Sequence, residues 1–402
     1  MRIGKMILRA LGALLLAGFV YLNVDYWRDP VYWRRWWDTM SHMQPDYLNL
    51  APLEAVPGGS DAPLPAAAGG ERTISTVALR SAEQYAAQFD SFALIVVHRG
   101  RVQTEWYRDG WQPDRLTQSQ SMHKSVVALM LGAAIDDGYV QSVDDPIGRY
   151  LAEWADDPRG RITIRNLLNM SSGLAHYEFS LNPFPSDSAF RFLFSAERAP
   201  ITLGTALEWA PGSRFDYNDV NAQLVGMIVE RASGRRYAGY LSERLWAPIG
   251  APPAEVWLDS EGGSVMTACC LLAPARAWAR LGLMLKNRGM MDGAQVFPAA
   301  WIEQMITPSA QNAGYGLFTW LGAGMTPEAL ASSTEIRQSE PYAAGDVFML
   351  LGHGGQRVYI SRQLDLVVVR LGPFAGYEPL KPGWDNAQLF NTVARGISRD
   401  DG

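Results

Sequence analysis

Apolar residues set an N-terminal segment apart from the rest of the chain. An uncharged, mostly apolar run extends from Ala10 to Val24 and stops at Asp25. Three basic residues precede this run: Arg2, Lys5 and Arg9. This order is typical of an export signal or a membrane anchor, and the positive charge before the run places the remainder outside the cytoplasm.

The residues around this run favour an uncleaved anchor. Cleavage would require small residues spaced like A-x-A, and a lipoprotein would require a cysteine where Phe19 stands. Six aromatic residues follow, interleaved with arginines as in an interfacial belt: Tyr26, Trp27, Tyr32, Trp33, Trp36 and Trp37. The alternative is a cleaved signal peptide followed by an aromatic surface helix.

Residues 51–70 are dominated by Pro, Gly and Ala and show no hydrophobic period. Such a stretch is typical of a linker. The sequence therefore predicts three parts: a signal or anchor over 1–25, an aromatic juxtamembrane segment with a linker over 26–80, and a folded domain over 81–402.

Branched and aromatic residues predict strands at both ends of this domain. FALIVVHRGRVQTEWY (92–107) is typical of a hairpin that turns at Arg99 and Gly100. VFMLLGHGGQRVYIS and LDLVVVRLG predict further strands, followed by a helix from about Trp384 to Ile397. Helical patterns dominate between about 120 and 300. We therefore expect an α+β fold, with an antiparallel sheet flanked by terminal helices and an inserted, mainly helical lobe.

Composition narrows the functional classes. The chain has 402 residues, 48% of them hydrophobic, which allows a large core in several domains or in one fold of two lobes. Its net charge of -6 argues against nucleic-acid binding. The adjacent Cys269 and Cys270 are not expected to form a disulfide, because neighbouring residues seldom reach the required geometry, and they are interpreted as a buried apolar patch. The five histidines lack metal-ligand spacing, so neither a metal nor a cofactor is expected.

The segment SMHKSVVALMLGAAIDDG carries the first candidate for chemistry. It begins at Ser121 and is almost wholly apolar to Ile135, which predicts a buried helix. Ser121 and Lys124 share a face at its first turn, where free backbone N–H groups and the helix dipole favour negative charge. A serine nucleophile needs a base and such an anion site. A solvated lysine at the helix start is the alternative.

Two further motifs belong with this pair. Tyr217 precedes a second helix, where it either caps the core or shares a proton with Lys124 as a general base. The run Gly352, His353, Gly354, Gly355 and Gln356 interrupts a strand. Glycines inside a strand indicate either a structural bend or the close approach of a substrate along an edge strand.

In this order, S-x-x-K, tyrosine and His-Gly-Gly resemble the serine β-lactamase and penicillin-binding-protein superfamily. The version with tyrosine and H-x-G is similar to its class C and esterase branch. Further likeness extends over about 92–391, in DDPIGRYL, ITIRNLLNMSSGL, ARLGLMLKNRG and YGLFTW. The segments SMHKS and NMSSGL are especially similar to those of the aminohexanoate-dimer (nylon-oligomer) hydrolases.

The resemblance implies a role for each matching residue. Ser121 would be the acylated nucleophile, Lys124 its proton partner and Tyr217 the base that activates water. The backbone N–H groups of Ser121 and Gln356 would form the oxyanion hole. His353 would occupy the position that is lysine in penicillin-recognising members, followed by Gly354 and Gly355 along the substrate.

Two departures from the family pattern bear on specificity. Asp219 stands at the third position of Y-x-N, between the amides Asn218 and Asn221. A carboxylate near Lys124 would hold the lysine protonated and disfavour an anionic substrate. A histidine at position 353 also weakens the positive charge that would meet a substrate carboxylate, and whether Arg357 replaces it is open.

The other polar candidates carry weaker expectations. Met122 and His123 are expected to pack or to lie at the rim of the cleft, and His98 is expected to be exposed near the hairpin turn. His176, Tyr177 and Glu178 are candidates to line the cleft, of which Tyr177 is included among the substrate-binding residues.

The sequence thus predicts a membrane-anchored, periplasm-facing serine hydrolase that acts on a small ester or linear amide through an acyl-enzyme. A peptidoglycan-derived substrate falls within this class. An enzyme alternative is a D-alanyl-D-alanine peptidase or β-lactamase. The non-enzyme alternative is a wall-binding protein that has kept the fold without turnover.

Overall fold

The computed structural model describes residues 2–42, 51–60, 63–177, 182–185, 188–325, 338–373 and 384–398. Its helices are α1 (Arg2–Arg28), α2 (Pro30–His42), α3 (Thr76–Gln88), α4 (Met122–Asp136), α5 (Ile164–Leu168), α6 (Ala189–Phe194), α7 (Arg198–Leu203), α8 (Asp219–Ser233), α9 (Tyr237–Leu241), α10 (Ala275–Lys286), α11 (Ala299–Met305) and α12 (Asn386–Arg395).

The strands of the described residues fall into two sheets and a short hairpin. They are β1 (Leu53–Val56), β2 (Ala93–His98), β3 (Arg101–Tyr107), β4 (Thr117–Gln118), β5 (Ala254–Trp257), β6 (Leu271–Ala273), β7 (Met290–Met291), β8 (Ala294–Gln295), β9 (Trp320–Leu321), β10 (Phe348–Gly352), β11 (Gln356–Ser361) and β12 (Leu366–Leu371).

The larger sheet joins the two ends of the domain, as the sequence predicts. Its six strands run in the order β3-β2-β12-β11-β10-β9 with antiparallel pairing throughout. The β2–β3 pair is the predicted hairpin, and β12 pairs with β2 across nearly the whole length of the chain. Strands β2, β11 and β12 are buried along their full length, because helices cover both faces.

Side-chain alternation along β12 shows which helix covers which face. Val367 contacts α10, whereas the guanidinium of Arg370 donates to the carbonyl of Phe89 and lies over the ring of Trp384. Because residues three apart on a strand point to opposite faces, α10 covers one face, and α3 with α12 covers the other. The flanking helices and the α+β fold class are therefore confirmed.

The inserted lobe is built around α4 and α8, which pack against each other. Residues Met122 to Ala134 of α4 are all buried, so the predicted buried helix is confirmed. The lobe is not wholly helical, because β1, β5, β6 and β4 form a smaller antiparallel sheet beside it.

The predicted linker over 51–70 is wrong for the described residues. Strand β1 pairs with β5 from Leu53 opposite Trp257 to Val56 opposite Ala254, and Gly59 N–H donates to the Ala251 carbonyl at 2.8 Å. Composition misled here, because small residues also suit close packing of backbones. The predicted domain boundary at 81 likewise falls inside α3.

The aromatic segment is only partly the exposed belt that the sequence predicts. Trp27 and Trp37 are mostly exposed, but Tyr32 on α2 is fully buried and its hydroxyl donates to the Pro183 carbonyl at 2.7 Å. Arg35 is buried too and donates to the carbonyls of Phe194, Ala51 and Leu258 at 2.8–3.0 Å. One face of α2 therefore belongs to the folded body.

Helix α1 is apolar and unburied over its described side chains. Between Arg9 and Arg28 it is long and apolar enough to cross a membrane, a property that a signal sequence near the N-terminus shares. By length and composition it suits either a signal anchor or a membrane span.

Candidate active site

The N-terminal turn of α4 brings the S-x-x-K pair together. Lys124 Nζ donates to Ser121 Oγ at 2.8 Å and to the Ala268 carbonyl at 2.5 Å. Ser121 is partly exposed, whereas the Lys124 side chain is only 1% exposed. The arrangement presents a reachable hydroxyl backed by a buried ammonium.

The start of α8 supplies the next two groups. Asp219 Oδ1 lies 2.8 Å from Lys124 Nζ, so the expected carboxylate beside the lysine is present. Tyr217 lies beside Lys124 as well, whose Nζ is 5.1 Å from the centre of the phenol ring. Burial lowers the pKa of Lys124, but Asp219 and Tyr217 raise it more, and the net pKa lies above its ordinary value.

The two neighbouring amides do not reach the lysine. Asn218 caps α8, since its Oδ1 accepts from the N–H of Val220, and its Nδ2 donates to the carbonyls of Leu174 and Ala175. Asn221 is buried with its amide nitrogen 3.4 Å from the sulfur of Met170. The third position of the motif, and not either amide, therefore faces the reacting groups.

An aromatic wall fixes the position of Tyr217. Its ring stacks on Trp320 with 5.8 Å between centroids and an angle of 27°, and it meets Tyr315 edge-on at 6.2 Å. Both wall residues are buried and come from the YGLFTW segment. Ordered aromatic contacts of this kind limit the motion of the phenol.

The His-Gly-Gly run forms the turn between β10 and β11. Gly352 pairs with Gln356, and the residues between them make a tight turn in which Gly354 and Gly355 have φ of 71° and 78°. Of the two alternatives for these glycines, the structural bend is therefore confirmed, because the left-handed φ of the turn requires glycine. The close approach of a substrate stays a prediction. A side chain at Gly352 would overlap the Ser119 carbonyl, which places this turn against the loop before Ser121.

The side chains around this turn differ in accessibility. His353 is partly exposed, whereas Gln356 is buried and its amide bonds to both the N–H and the carbonyl of Gly372. Arg357 is fully buried and donates to the Gly352 carbonyl at 2.6 Å and to Asn386. Arg357 therefore does not replace the lysine charge in the cleft.

A cavity of about 120 Å³ opens beside Tyr217 and Asp219. Its lining includes His176 and Tyr177, as expected, together with Ala189, Phe192, Leu193 and Asn218. Tyr177 stacks on Phe192 at 5.2 Å, and its hydroxyl donates to the Ile201 carbonyl. Glu178 lies outside the described residues. A larger cavity of about 370 Å³ lies beside α2, far in sequence from the reacting groups, between Tyr26 and Trp37.

An ion pair that the sequence interpretation missed borders the cleft. His176 Nε2 lies 2.6 Å from Asp216 Oδ2, and this hydrogen bond raises the pKa of His176 above its ordinary value despite opposing burial. Asp216 lies three residues before Asp219 in RFDYND, so the sequence itself shows two acidic residues close to Tyr217. The pair thus borders the cleft through His176, which belongs to its lining.

Two predictions about histidines have opposite outcomes. His123 packs as expected: it is fully buried between the Cys269 carbonyl and the Tyr237 hydroxyl, and burial lowers its pKa to about 4. The prediction that His98 is exposed is wrong. Its Nδ1 hydrogen-bonds with Thr73, and the residue is only 2% exposed. The segment around 73 covers the hairpin end, a contact that local sequence does not reveal.

The cysteine prediction is also wrong. Cys269 and Cys270 form a disulfide, although they are buried as expected. An extended strand would send neighbouring side chains to opposite faces, but the chain turns at Cys270, where φ is 74°. The turn brings the two sulfur atoms to one side.

The chain is similar to known proteins over most of its length. Residues 79–371 match the Beta-lactamase family. The chain is 26% identical over 294 residues to the 6-aminohexanoate-dimer hydrolase of Paenarthrobacter ureafaciens, covering 69% of this chain and 71% of the relative. It is 33% identical over 112 residues to an Escherichia coli O157:H7 protein provisionally assigned as a D-alanyl-D-alanine carboxypeptidase, covering 27% and 26% respectively.

A solved structure shares the fold. The crystal structure of a family VIII carboxylesterase superposes with a TM-score of 0.58 at 16% identity, covering 80% of this chain and 97% of that one. The match to the family spans most of the chain and includes Ser121, Lys124 and Tyr217. The protein therefore belongs to the Beta-lactamase family and is a serine hydrolase.

Proposed function

We propose that the protein cleaves an ester or a linear amide through an acyl-enzyme on Ser121. The observation that carries this proposal is the continuous set of contacts from Ser121 Oγ to Lys124 Nζ and on to Asp219 and Tyr217. It supplies a nucleophile, a proton route and a fixed positive charge in one place.

The charges suggest how the steps are divided. Asp219 favours the protonated form of Lys124, so the lysine stabilises negative charge. Tyr217, acting as a phenolate beside this ammonium, takes the proton from Ser121 Oγ as that oxygen attacks the carbonyl carbon. The same proton then passes to the leaving alcohol or amine. In the second half, Tyr217 accepts a proton from water, whose oxygen attacks the acyl carbon. As the bond between the acyl carbon and Ser121 Oγ breaks, Tyr217 passes that proton to Ser121 Oγ, which restores both groups.

The oxyanion hole would consist of the backbone N–H groups of Ser121 and Gln356. This assignment is supported by the contact of Gly352, opposite Gln356 in the hairpin, with the loop before Ser121. Helix α4 begins at the same point, so its free N–H groups add to the favourable field.

The substrate class follows from the charge of the cleft. Asp219 is about half exposed, at 49%, whereas Asp216 is paired with His176. Because Arg357 is turned inward, the exposed carboxylate of Asp219 favours substrates that are neutral beside the scissile bond. Substrates with a carboxylate there, as in D-alanyl peptides or penicillins, would be poorer, although a peptidoglycan-derived fragment without that charge remains within the class.

The location proposed is the outer side of the inner membrane, in the periplasm. Support comes from α1, with its apolar run and preceding basic residues, and from the exposed Trp27 and Trp37 that follow. This placement agrees with the disulfide, which persists in oxidising compartments.

Covalent labelling tests the proposal directly. Intact mass after exposure to a fluorophosphonate is expected to show one adduct, which peptide mapping places on Ser121. Ser121→Ala should remove the adduct, whereas Ser125→Ala, one turn further along α4, should keep it. A persistent adduct on another serine in Ser121→Ala would overturn the assignment.

A panel of acyl donors then separates the functional alternatives. We expect a neutral p-nitrophenyl ester or linear amide to react most readily, and a fluorescent penicillin to give no adduct. Labelling by penicillin in preference to esters would favour the peptidase or β-lactamase alternative. A folded protein that reacts with none of these reagents would favour the wall-binding alternative.

A further inference from the structure

The segment from Ala268 to Leu271 lies along the residues that bracket the catalytic serine. Its backbone makes four hydrogen bonds to them: the Ala268 carbonyl accepts from Lys124 Nζ at 2.5 Å, the Cys269 carbonyl contacts His123 Nδ1 at 2.9 Å, the Cys270 N–H donates to the Gln120 carbonyl at 3.3 Å, and the Leu271 carbonyl accepts from the Ser119 N–H at 3.0 Å. This short segment therefore supports both sides of Ser121.

The disulfide lies in the middle of these contacts. It joins Cys269 to Cys270 in a small ring that includes the peptide bond between them. The ring limits rotation on either side of that peptide, so it limits the directions of the Cys269 carbonyl and the Cys270 N–H. Both groups take part in the four hydrogen bonds that hold the residues on either side of Ser121.

The backbone conformation at Cys270 is itself unusual. Cys270 has φ of 74°, in the left-handed region that residues other than glycine seldom adopt. Gln120, which accepts from Cys270, has φ of 50° as well. Two unusual backbone conformations thus face each other beside Ser121, and the ring constrains one of them.

We propose that the Cys269–Cys270 disulfide is a positioning element. It holds the Ala268 carbonyl against Lys124 Nζ, and it holds the backbone at Gln120, the residue before Ser121. This proposal rests on the proposed function wherever turnover is the quantity measured. A dithiol reductant would convert the pair to two thiols and itself become a disulfide, each cysteine gaining one hydrogen. The freed backbone could then leave the left-handed region, and Lys124 would lose a fixed acceptor.

This role differs from simple support of the core. Support alone would lower stability without changing the chemistry of the native enzyme. Positioning predicts a lower kcat with a KM that changes little, since a misplaced reacting group costs up to about 10²-fold in rate. It also predicts a pH–rate profile displaced to lower pH, because a hydrogen bond that favours charged Lys124 is weakened.

The experiment uses the full chain purified without reductant. Alkylation under denaturing conditions should leave both cysteines unmodified, and dithiothreitol should add the mass of two hydrogens. The reduced enzyme should lose on the order of 10-fold or more in kcat at nearly constant KM, and reoxidation should restore it. The variant Cys269→Ala with Cys270→Gly, whose glycine tolerates positive φ, should show the reduced behaviour with or without reductant.

Three outcomes would overturn the proposal: two alkylated cysteines before reduction, an unchanged kcat and pH profile after confirmed reduction, or a variant as active as the oxidised enzyme. Hydrogen exchange of the peptide around 118–126 provides a readout independent of turnover and should quicken on reduction. If the oxidised protein neither turns over nor acylates Ser121, yet exchange quickens, the proposed function fails while the positioning role stands.

Discussion

At the scale of single residues, the ammonium of Lys124 is the centre of the site. Burial alone would make it neutral, as it does for isolated buried lysines. The contacts with Asp219 and Tyr217 outweigh that effect and raise the pKa. A protonated lysine cannot accept the proton of Ser121, so the choice of Tyr217 as base rests on this balance of burial against charge.

Asp219→Asn should relax the discrimination against anionic substrates. We expect the ratio of kcat/KM for an anionic and a matched neutral ester to rise by about 10-fold, because one partly exposed charge leaves the cleft. Asp216→Asn is the matched control, since its charge faces His176 and not Lys124. Equal effects of both variants would show that Asp219 has no special place beside the substrate.

The same variant has a consequence for pH dependence. Asp219 raises the pKa of Lys124, so its removal should lower that pKa and displace the kcat/KM profile toward lower pH. The measurement is a pH–rate profile of Asp219→Asn beside the native enzyme. A profile displaced upward or left in place would contradict the assigned coupling.

Tyr217→Phe should lower kcat by about 10²-fold to 10⁴-fold, as expected for loss of a general base. The phenyl ring keeps its contacts with Trp320 and Tyr315, so the free energy of unfolding should change little. Steady-state kinetics and urea unfolding on one preparation test both statements. Near-normal turnover would remove the tyrosine from the mechanism.

The His176–Asp216 pair makes stability depend on pH. Because the folded-state pKa of His176 is raised, its stabilisation is fully present below the unfolded pKa of about 6.5 and is lost as pH rises through the folded pKa. The difference in unfolding free energy between native protein and Asp216→Asn should therefore be larger at about pH 6 than at about pH 9. A difference independent of pH would show that the pair does not titrate in this way.

At the scale of elements, the two helices that carry the proposed site residues both begin at that site. Helix α4 presents Ser121 as its N-cap residue and Lys124 from its first turn, whereas α8 presents Asp219 from its first turn and Tyr217 lies just before its N-cap. Side chains at helix starts are fixed by caps and by tertiary contacts, so the caps are part of the site.

Asn218→Ala tests the cap of α8. It removes the side-chain bond to the Val220 N–H and both bonds to the carbonyls of Leu174 and Ala175. We expect a loss of roughly 2 kcal/mol in unfolding free energy, of which about 1 kcal/mol belongs to the cap. Asn218→Ser, which keeps only the cap, should lose less in urea unfolding; an equal loss would mean that the cap contributes nothing.

At the scale of the whole molecule, the N-terminal segment is both an apolar helix and a structural part of the hydrolase body. Helix α2 contacts α6, and the opposite side of α6 carries Ala189, Phe192 and Leu193 into the cleft. The segment that follows α1 is therefore packed one helix away from the catalytic cavity.

Arg35 provides the test of this docking. Burial lowers its pKa to about 10, yet three carbonyls from distant parts of the chain accept its hydrogen bonds. Arg35→Ala should cost about 2 kcal/mol in unfolding free energy, because those carbonyls lose a charged donor. The neighbouring Arg34 is exposed, and Arg34→Ala should be nearly neutral in the same measurement. Equal effects would contradict the docking of α2.

The sequence alone was sufficient for the fold class, the two-ended sheet, the buried α4 and the grouping of Ser121, Lys124 and Tyr217 in one place, while their catalytic roles stay predictions. Each of these depends on local patterns: strand alternation, an apolar helix, or motif spacing that resembles a family. The contact of Asp219 with Lys124 was also foreseeable, because position within a motif fixed which side chain would face the lysine.

Tertiary structure alone decided the docking of residues 51–59 and α2, the burial of His98, the His176–Asp216 pair and the Cys269–Cys270 disulfide. These features join residues that are distant in sequence, or depend on a backbone turn such as that at Cys270. Composition records how polar or small a segment is, but not which surface it meets. Glycine-rich and aromatic segments are therefore ambiguous until the packed partners are known.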